Sequence, residues 1–455
     1  MAFDFPQQLG EILMYRFNPE YMQKILYSTI VMCAAICSNL FAADKLLSNE
    51  PLQSLKVEVK KTEKGFELLR DGKPYFIKGA GGTSYYYKVA AYGGNSVRTW
   101  STNGAKNILD SAQKNGLTVM MGLPVTAERH GFDYDDPVAV KKQFDRVKAE
   151  VLKYKDHPAL LTWGIGNELN LSYKNPKVWE AVNDIAKMIK EVDPNHLVTT
   201  VLAGINKKEI EHIKATAPAI ELLAINTYGG LAELPAKIKA AGWDGPYMVT
   251  EWGPTGHWEG LQTDWNAPVE ETSTEKAAVY QNRYQYGIER DKANCLGSYV
   301  FLWGQKQERT PTWYGLFTAK GEENEVVDMM HYLWKGTFPK NKAPHLYGFR
   351  LNNQKANQSV LLKPGVSYEA EVIAMDPDND RLNYRWELLP EATKVGEGGD
   401  HEDKPKAIPM VHTNNGNGKI SLTAPKTGGA YRLFVYVEDG KNKIATANIP
   451  FFVKE

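Results

Sequence analysis

Between residues 75 and 302 the chain repeats one pattern eight times, a short apolar run bounded by turn residues and followed in most cases by an amphipathic stretch. The runs are 75–79, 96–99, 118–123, 160–165, 197–201, 222–225, 247–250 and 297–302. Apolar on both faces, they read as strands of a parallel sheet covered on both sides. The segments 104–115, 137–154, 178–192, 207–215, 231–241 and 274–291 carry helical periodicity, while the links after the first and eighth runs look irregular. Eight βα units over about 260 residues predict an α/β fold, a (β/α)8 TIM barrel, with any site at the carboxyl ends of its strands.

The flanks differ from this core. Residues 55–74 alternate polar and apolar around Lys64-Gly65 and Asp71-Gly72, which predicts hairpin strands leading into the barrel. After Trp334, Pro339 and Pro344 mark a linker, and from Tyr347 short alternating strands predict a C-terminal all-β immunoglobulin-like sandwich. The expected organisation is a leader and signal over 1–43, the barrel with its hairpin over 55–338, and the sandwich over 345–455.

Within the leader, Lys24, an apolar stretch to Ile36 and the small residues Ala42 and Ala43 have the layout of a secretory signal, too short for a membrane span. A secreted, periplasmic or cell-surface location is expected. Met32 and Ile36 are poor residues to precede a lipidated cysteine, so anchoring at Cys33 or Cys37 is not favoured. After cleavage only Cys295 would remain, and no internal disulfide could form. Lys+Arg and Asp+Glu are equal at 54 each, so no net field favours nucleic acid or an acidic membrane surface. A neutral substrate and a monomer are expected. The 11 Trp and 24 Tyr suit the faces of pyranose rings, although a large barrel also buries tryptophans.

Two of the eight runs end in glutamate, LLTWGIGNE at Glu168 and YMVTE at Glu251. A carboxylate closing a buried strand is costly. Two of them at one end of a barrel are what acid/base and nucleophilic attack on a glycosidic bond requires. Arg98 and Tyr228, at the ends of the second and sixth runs, are placed to donate hydrogen bonds to Glu251 and keep it as the bare nucleophile. Glu168 has no evident cationic partner and faces another carboxylate, so its pKa should rise, as suits a proton donor. Asn167 is a candidate for the sugar 2-hydroxyl. Trp252 stands beside the nucleophile, Trp303 closes the eighth strand as a possible apolar floor, and Trp258, Trp265, Gln305, Trp313 and Tyr314 lie on long loops suited to further subsites. His130 and His257 are isolated, with no metal-ligand spacing nearby. In Asp376-Pro-Asp-Asn-Asp380 an EF-hand is excluded by Arg381 at its glycine position and by strand-like flanks. No metal or organic cofactor is expected.

Taken in order, FIKG, NSVRTW, WGIGNEL, INTYGG, VTEWGP and GSYVFLWGQ resemble glycoside hydrolase clan A, the retaining (β/α)8 enzymes. With a sandwich directly after the barrel, the chain looks most like family 158. The family-two glycosidases are similar around the barrel, but normally carry sandwich domains before it. The resemblance implies an endo-β-1,3-glucanase of laminarin-type glucans, with Glu168 as acid/base and Glu251 as nucleophile. Open alternatives are another clan A β-glycosidase or transglycosylase (β-1,4- or β-1,6-glucan, or galactoside), and a non-catalytic glucan-binding surface protein.

Overall fold

Strand closure follows the eight apolar runs. In the computed structural model, which describes residues 54–454 except residue 397, the parallel strands β4 (Ile77–Gly81), β5 (Ser96–Arg98), β6 (Thr118–Leu123), β7 (Leu160–Ile165), β8 (Leu197–Ala203), β9 (Leu223–Asn226), β10 (Tyr247–Trp252) and β11 (Cys295–Val300) pair in chain order into a closed barrel. The expected leader and signal over 1–43, with Cys33 and Cys37, lies outside the described residues. Every residue of β6, β7, β10 and β11 is buried, which is why these runs are continuously apolar. Alternation divides them between two cores. Leu161, Met248 and Tyr299 fill the barrel interior, while Trp163, Val249 and Val300 pack outward against the helices.

The predicted hairpin, β1 (Val57–Thr62) and β2 (Gly65–Arg70) followed by β3 (Lys73–Pro74), plugs the end of the barrel remote from the strand carboxyl ends. Val57 N donates to Asn195 O at 2.7 Å and Phe66 N to Ala293 O at 2.6 Å. At Gly65, with φ +132°, a Cβ would lie 2.0 Å from Ala293 O, so this turn requires glycine. The links expected to be irregular each contain a helix, Tyr86–Ala91 after β4 and Glu325–Lys335 after β11. The second has both usual end signals. The Asn324 side chain accepts from Val326 N, and Gly336 ends the helix at φ +79°. A long loop separates it from its strand and hides the repeat.

The C-terminal region is a sandwich of two four-stranded sheets. Strands β12 (His345–Leu351), β14 (Ser367–Met375), β17 (Lys419–Thr423) and β16 (His412–Gly416) form one, and β13 (Val360–Leu362), β19 (Ile444–Val453), β18 (Gly429–Glu438) and β15 (Asn383–Pro390) the other. Leu351, Val372, Ile420, Val435 and Ile449 fill the space between them. No helix among the described residues is long and apolar enough to cross a membrane.

The sandwich packs on the barrel through a polar seam. Lys443 lies between two buried barrel carboxylates, Glu323 at 2.6 Å and Asp328, and Lys88 pairs with Glu323 from the other side. Asn448 Nδ2 donates to Glu270 Oε2 at 2.6 Å, and Arg432 Nη2 to Pro268 O at 2.8 Å. Backbone bonds join Glu323 to Asn442 and Ile444. Removing one member of a buried ion-paired group leaves its partners uncompensated. Lys443→Ala should therefore cost about 3–5 kcal/mol, read as a lowered midpoint in denaturant unfolding; a loss below about 1 kcal/mol, the worth of a surface pair, would refute this account of the seam.

Candidate active site

The strand carboxyl ends carry the polar residues that the barrel interior excludes. Relative to β9, strand β10 shifts register between Val249 and Glu251. Such an irregularity re-aims side chains. Glu251 enters the barrel mouth, and the next residue, Trp252, points outward. Glu168 follows β7 through a tight turn, with Gly166 at φ +65° and Glu168 itself at φ +52°. A non-glycine residue in the left-handed region costs about 1–3 kcal/mol and persists only where its surroundings hold it. Here its N–H donates to Val201 O at 2.9 Å.

The two carboxylates have opposite surroundings. Glu251 accepts from three donors: Arg98 Nη1 at 2.8 Å and Trp100 Nε1 at 2.7 Å on Oε1, and the Tyr228 hydroxyl at 3.0 Å on Oε2. Glu168 accepts from the neutral Asn226 Nδ2 at 2.8 Å. Burial first, and then the Glu251 charge, push the Glu168 carboxyl up to about 7, against the opposing pull of Asn226 and Arg98. Asn226 Oδ1 in turn accepts from Thr250 Oγ1 at 2.8 Å and from Arg98 Nη1 at 3.4 Å, so one relay of contacts spans both carboxylates.

Both glutamates line one cavity of about 540 Å³, shared with Tyr228, Trp258, Phe301 and Arg309. That volume suits a small ligand or a few sugar units. Trp258 is 56 % exposed, its ring 5.6 Å from that of Tyr228, and forms an open apolar wall. Part of the wall comes from the sandwich, whose loop after β15 brings Gly396, Gly398 and Gly399 to the cavity. Asp400 accepts from Arg129 at 3.4 Å and lies 3.3 Å from the His130 ring, Gly399 O accepts from Lys306 at 2.9 Å, and Glu402 accepts the backbone N–H of Arg309 at 2.7 Å.

Several expected subsite residues lie elsewhere. Trp252 is fully buried between β10 and the helix Ser273–Gly287, against Tyr280 and Tyr284. Trp303 is fully buried against Phe317 and Trp334, so it forms no floor for a ligand. Trp313 and Tyr314 are buried, with Trp313 donating to Thr255 O at 3.0 Å and Tyr314 packed behind Tyr228. Trp265 packs on Phe452 of the sandwich. Gln305 borders a separate hollow and donates to Pro311 O. Asn167 stands next to Glu168 and is half-buried, its Oδ1 accepting from Arg98 Nη2 at 2.6 Å and from Asn226 Nδ2 at 3.3 Å. His257, expected to be an isolated loop residue, lines the cavity and accepts from Arg309 Nε at 3.3 Å.

Trp100 and Asn226 were absent from the expected site. Asn226 had a readable signal, being a polar residue closing an apolar run, as both glutamates are.

The Glu168 carboxyl holds a proton to about 7 when folded and to roughly 4.3 when unfolded. The folded state thus binds more protons between these values, and stability falls as pH rises through that window and stays lower above it. Glu168→Gln should melt higher than the parent chain at pH 8 and close to it at pH 4.5; equal differences at both pH values would contradict the burial argument.

The barrel has counterparts among known proteins. Residues 89–304 match the family described as glycosyl hydrolases family 2, TIM barrel domain. A probable mannan endo-1,4-β-mannosidase C of Aspergillus terreus is 31 % identical over 166 residues, covering 30 % of this chain and 40 % of that protein. Similar solved structures include a β-glucuronidase of Bacteroides uniformis (14 % identity, TM-score 0.48, 88 % of this chain and 48 % of that one) and a GH2 β-galacturonidase of Eisenbergiella tayi bound to galacturonate (16 % identity, TM-score 0.49, 62 % and 55 %). This chain spans 40 % of the length of the curated relative and about half that of these structures. Over residues 89–304, somewhat under half of the chain, the barrel is thus similar to the glycosyl hydrolases family 2 TIM barrel domain.

Proposed function

We propose that this chain hydrolyses β-glycosidic bonds with retention of configuration. Glu251 attacks the anomeric carbon while Glu168 gives its proton to the departing glycosidic oxygen, leaving a glycosyl ester on Glu251; water, losing a proton to Glu168, then cleaves that ester and frees Glu251. The observation that carries this reading is the contrast between two carboxylates lining one cavity, one wrapped by three donors and the other kept protonated to about 7 by burial. Tyr228 and Arg98 orient the nucleophile, and Trp258 offers its face to a sugar ring.

For substrate we propose internal β-1,3 bonds of a neutral laminarin-type glucan. The family 158 resemblance of the ordered motifs and the equal numbers of basic and acidic residues support this choice. The similarity to a mannan endo-1,4-β-mannosidase favours β-1,4-mannan as a second reading. Product chromatography over time on laminarin, mannan, cellulose and pustulan separates them. Laminarin should give a ladder of oligosaccharides; release from mannan alone would transfer the assignment, and no new reducing ends from any of the four would favour a binding protein.

Glu251→Gln should lower turnover by several orders of magnitude, and activity like that of the parent chain would end the assignment. Because Glu168 must carry its proton in the first step, kcat/KM should fall as pH rises through about 7. In Glu168→Gln that limb should vanish, with aryl glycosides bearing activated leaving groups spared relative to polysaccharide. A uniform loss on both substrates would remove Glu168 from the acid role.

A further inference from the structure

Away from the cleft, the sandwich carries a cluster that the proposed reaction does not use. Asp376 and Asp380 open and close the turn after β14, and Asp439 follows β18 in the opposite sheet. One carboxylate oxygen from each lies within 4.8 Å of the other two. Calcium binds oxygen at 2.3–2.6 Å, so two ligands of one ion stand at most about 5 Å apart. The three oxygens therefore fall within the reach of one ion.

Convergence alone would be weak, because acidic clusters are common. Asp376 is only 4 % exposed, and its Oδ1 is used twice, by the N–H groups of Asp378 at 2.8 Å and Asp380 at 3.0 Å. Its Oδ2 is buried with no hydrogen-bond partner, and so is Asp380 Oδ2. Two buried carboxylate oxygens without partners are costly.

The neighbouring cations do not supply what is missing. Lys441 pairs with Asp380 Oδ1 at 2.5 Å but is itself 61 % exposed. Lys342 is engaged by Asp378, and the Lys443 ammonium points away to Glu323 and Asp328. Among the described residues, the ion pair of Lys441 with Asp380 is the one that Asp376, Asp380 and Asp439 make.

We propose that Asp376, Asp380 and Asp439 bind a hard divalent cation of the calcium class. The donors are all oxygen, which disfavours zinc and copper, and their irregular loop setting suits calcium better than octahedral magnesium. The mismatch at Arg381 that excludes an EF-hand is immaterial here, since the third ligand comes from the other sheet. The site also bears on the seam between the domains. Asp439 accepts from Asn341 of the linker at 2.7 Å and from the backbone N–H of Lys443 at 3.0 Å. An ion holding Asp439 would brace the loop that delivers Lys443 to the barrel.

The test uses the full chain freed of metal with EDTA and dialysed, titrated calorimetrically with CaCl2 and in parallel with MgCl2, and melted with and without each salt. One saturable calcium site is expected, with a melting midpoint several degrees higher in calcium than in EDTA and a smaller rise in magnesium. Asp380→Asn, the less buried substitution, should weaken calcium binding at least tenfold. Lys441→Ala, which removes the competing ammonium, should strengthen it. Absence of binding heat together with equal midpoints in calcium and EDTA would overturn the proposal, and so would calcium binding left unchanged in Asp380→Asn.

Discussion

One buried guanidinium ties the barrel mouth together. Arg98 is 1 % exposed, yet it donates to Glu251, Asn167, Asn226 and the carbonyl of Thr250, and lies 5.1 Å from the centre of the Trp100 ring. Those partners come from the ends of β7, β9 and β10, while Arg98 itself ends β5. A cation this deep is tolerable only with its acceptors in place, and the acceptors converge only when the eight strands close. Barrel closure and site electrostatics are thus one constraint seen from two directions. The same arrangement explains why the two glutamates differ: the cation is spent on Glu251, and Glu168 is left with a neutral amide and a charged neighbour.

Much of this was legible in the residues. Strand order and the catalytic candidates could be read because each rests on a local cost, an apolar run for burial on both faces and a carboxylate where such a run should stay apolar. The tryptophans were harder. Trp252, Trp303 and Trp313 stand where a sugar platform would stand, but the register shift in β10 turns Trp252 to the outer core, and the helix Glu325–Lys335 covers Trp303 through Trp334. A ring facing a ligand and a ring facing a helix have the same immediate neighbours in sequence. Trp258, on a loop with no helix over it, stayed open.

The rest was hidden because it depends on how two domains meet. Nothing in a glycine-rich turn of the sandwich announces that it reaches the barrel mouth, and Arg309 gave no sign of a partnership with Glu402. The seam is dominated by buried charge where apolar surface would be the simpler filling. Such an interface favours one docking angle, since Lys443, Asn448 and Arg432 each reach a buried acceptor across the seam.

That angle decides the outline of the cavity. At Gly398 even a single added carbon would come within 2.9 Å of both Arg129 and Leu171. A point change there, in a region with no chemistry of its own, would require the side-chain ends of Arg129 and Leu171 to give way at the rim. The contour of the cavity on that side thus belongs to the appended sheet pair, while the reacting groups belong to the barrel strands.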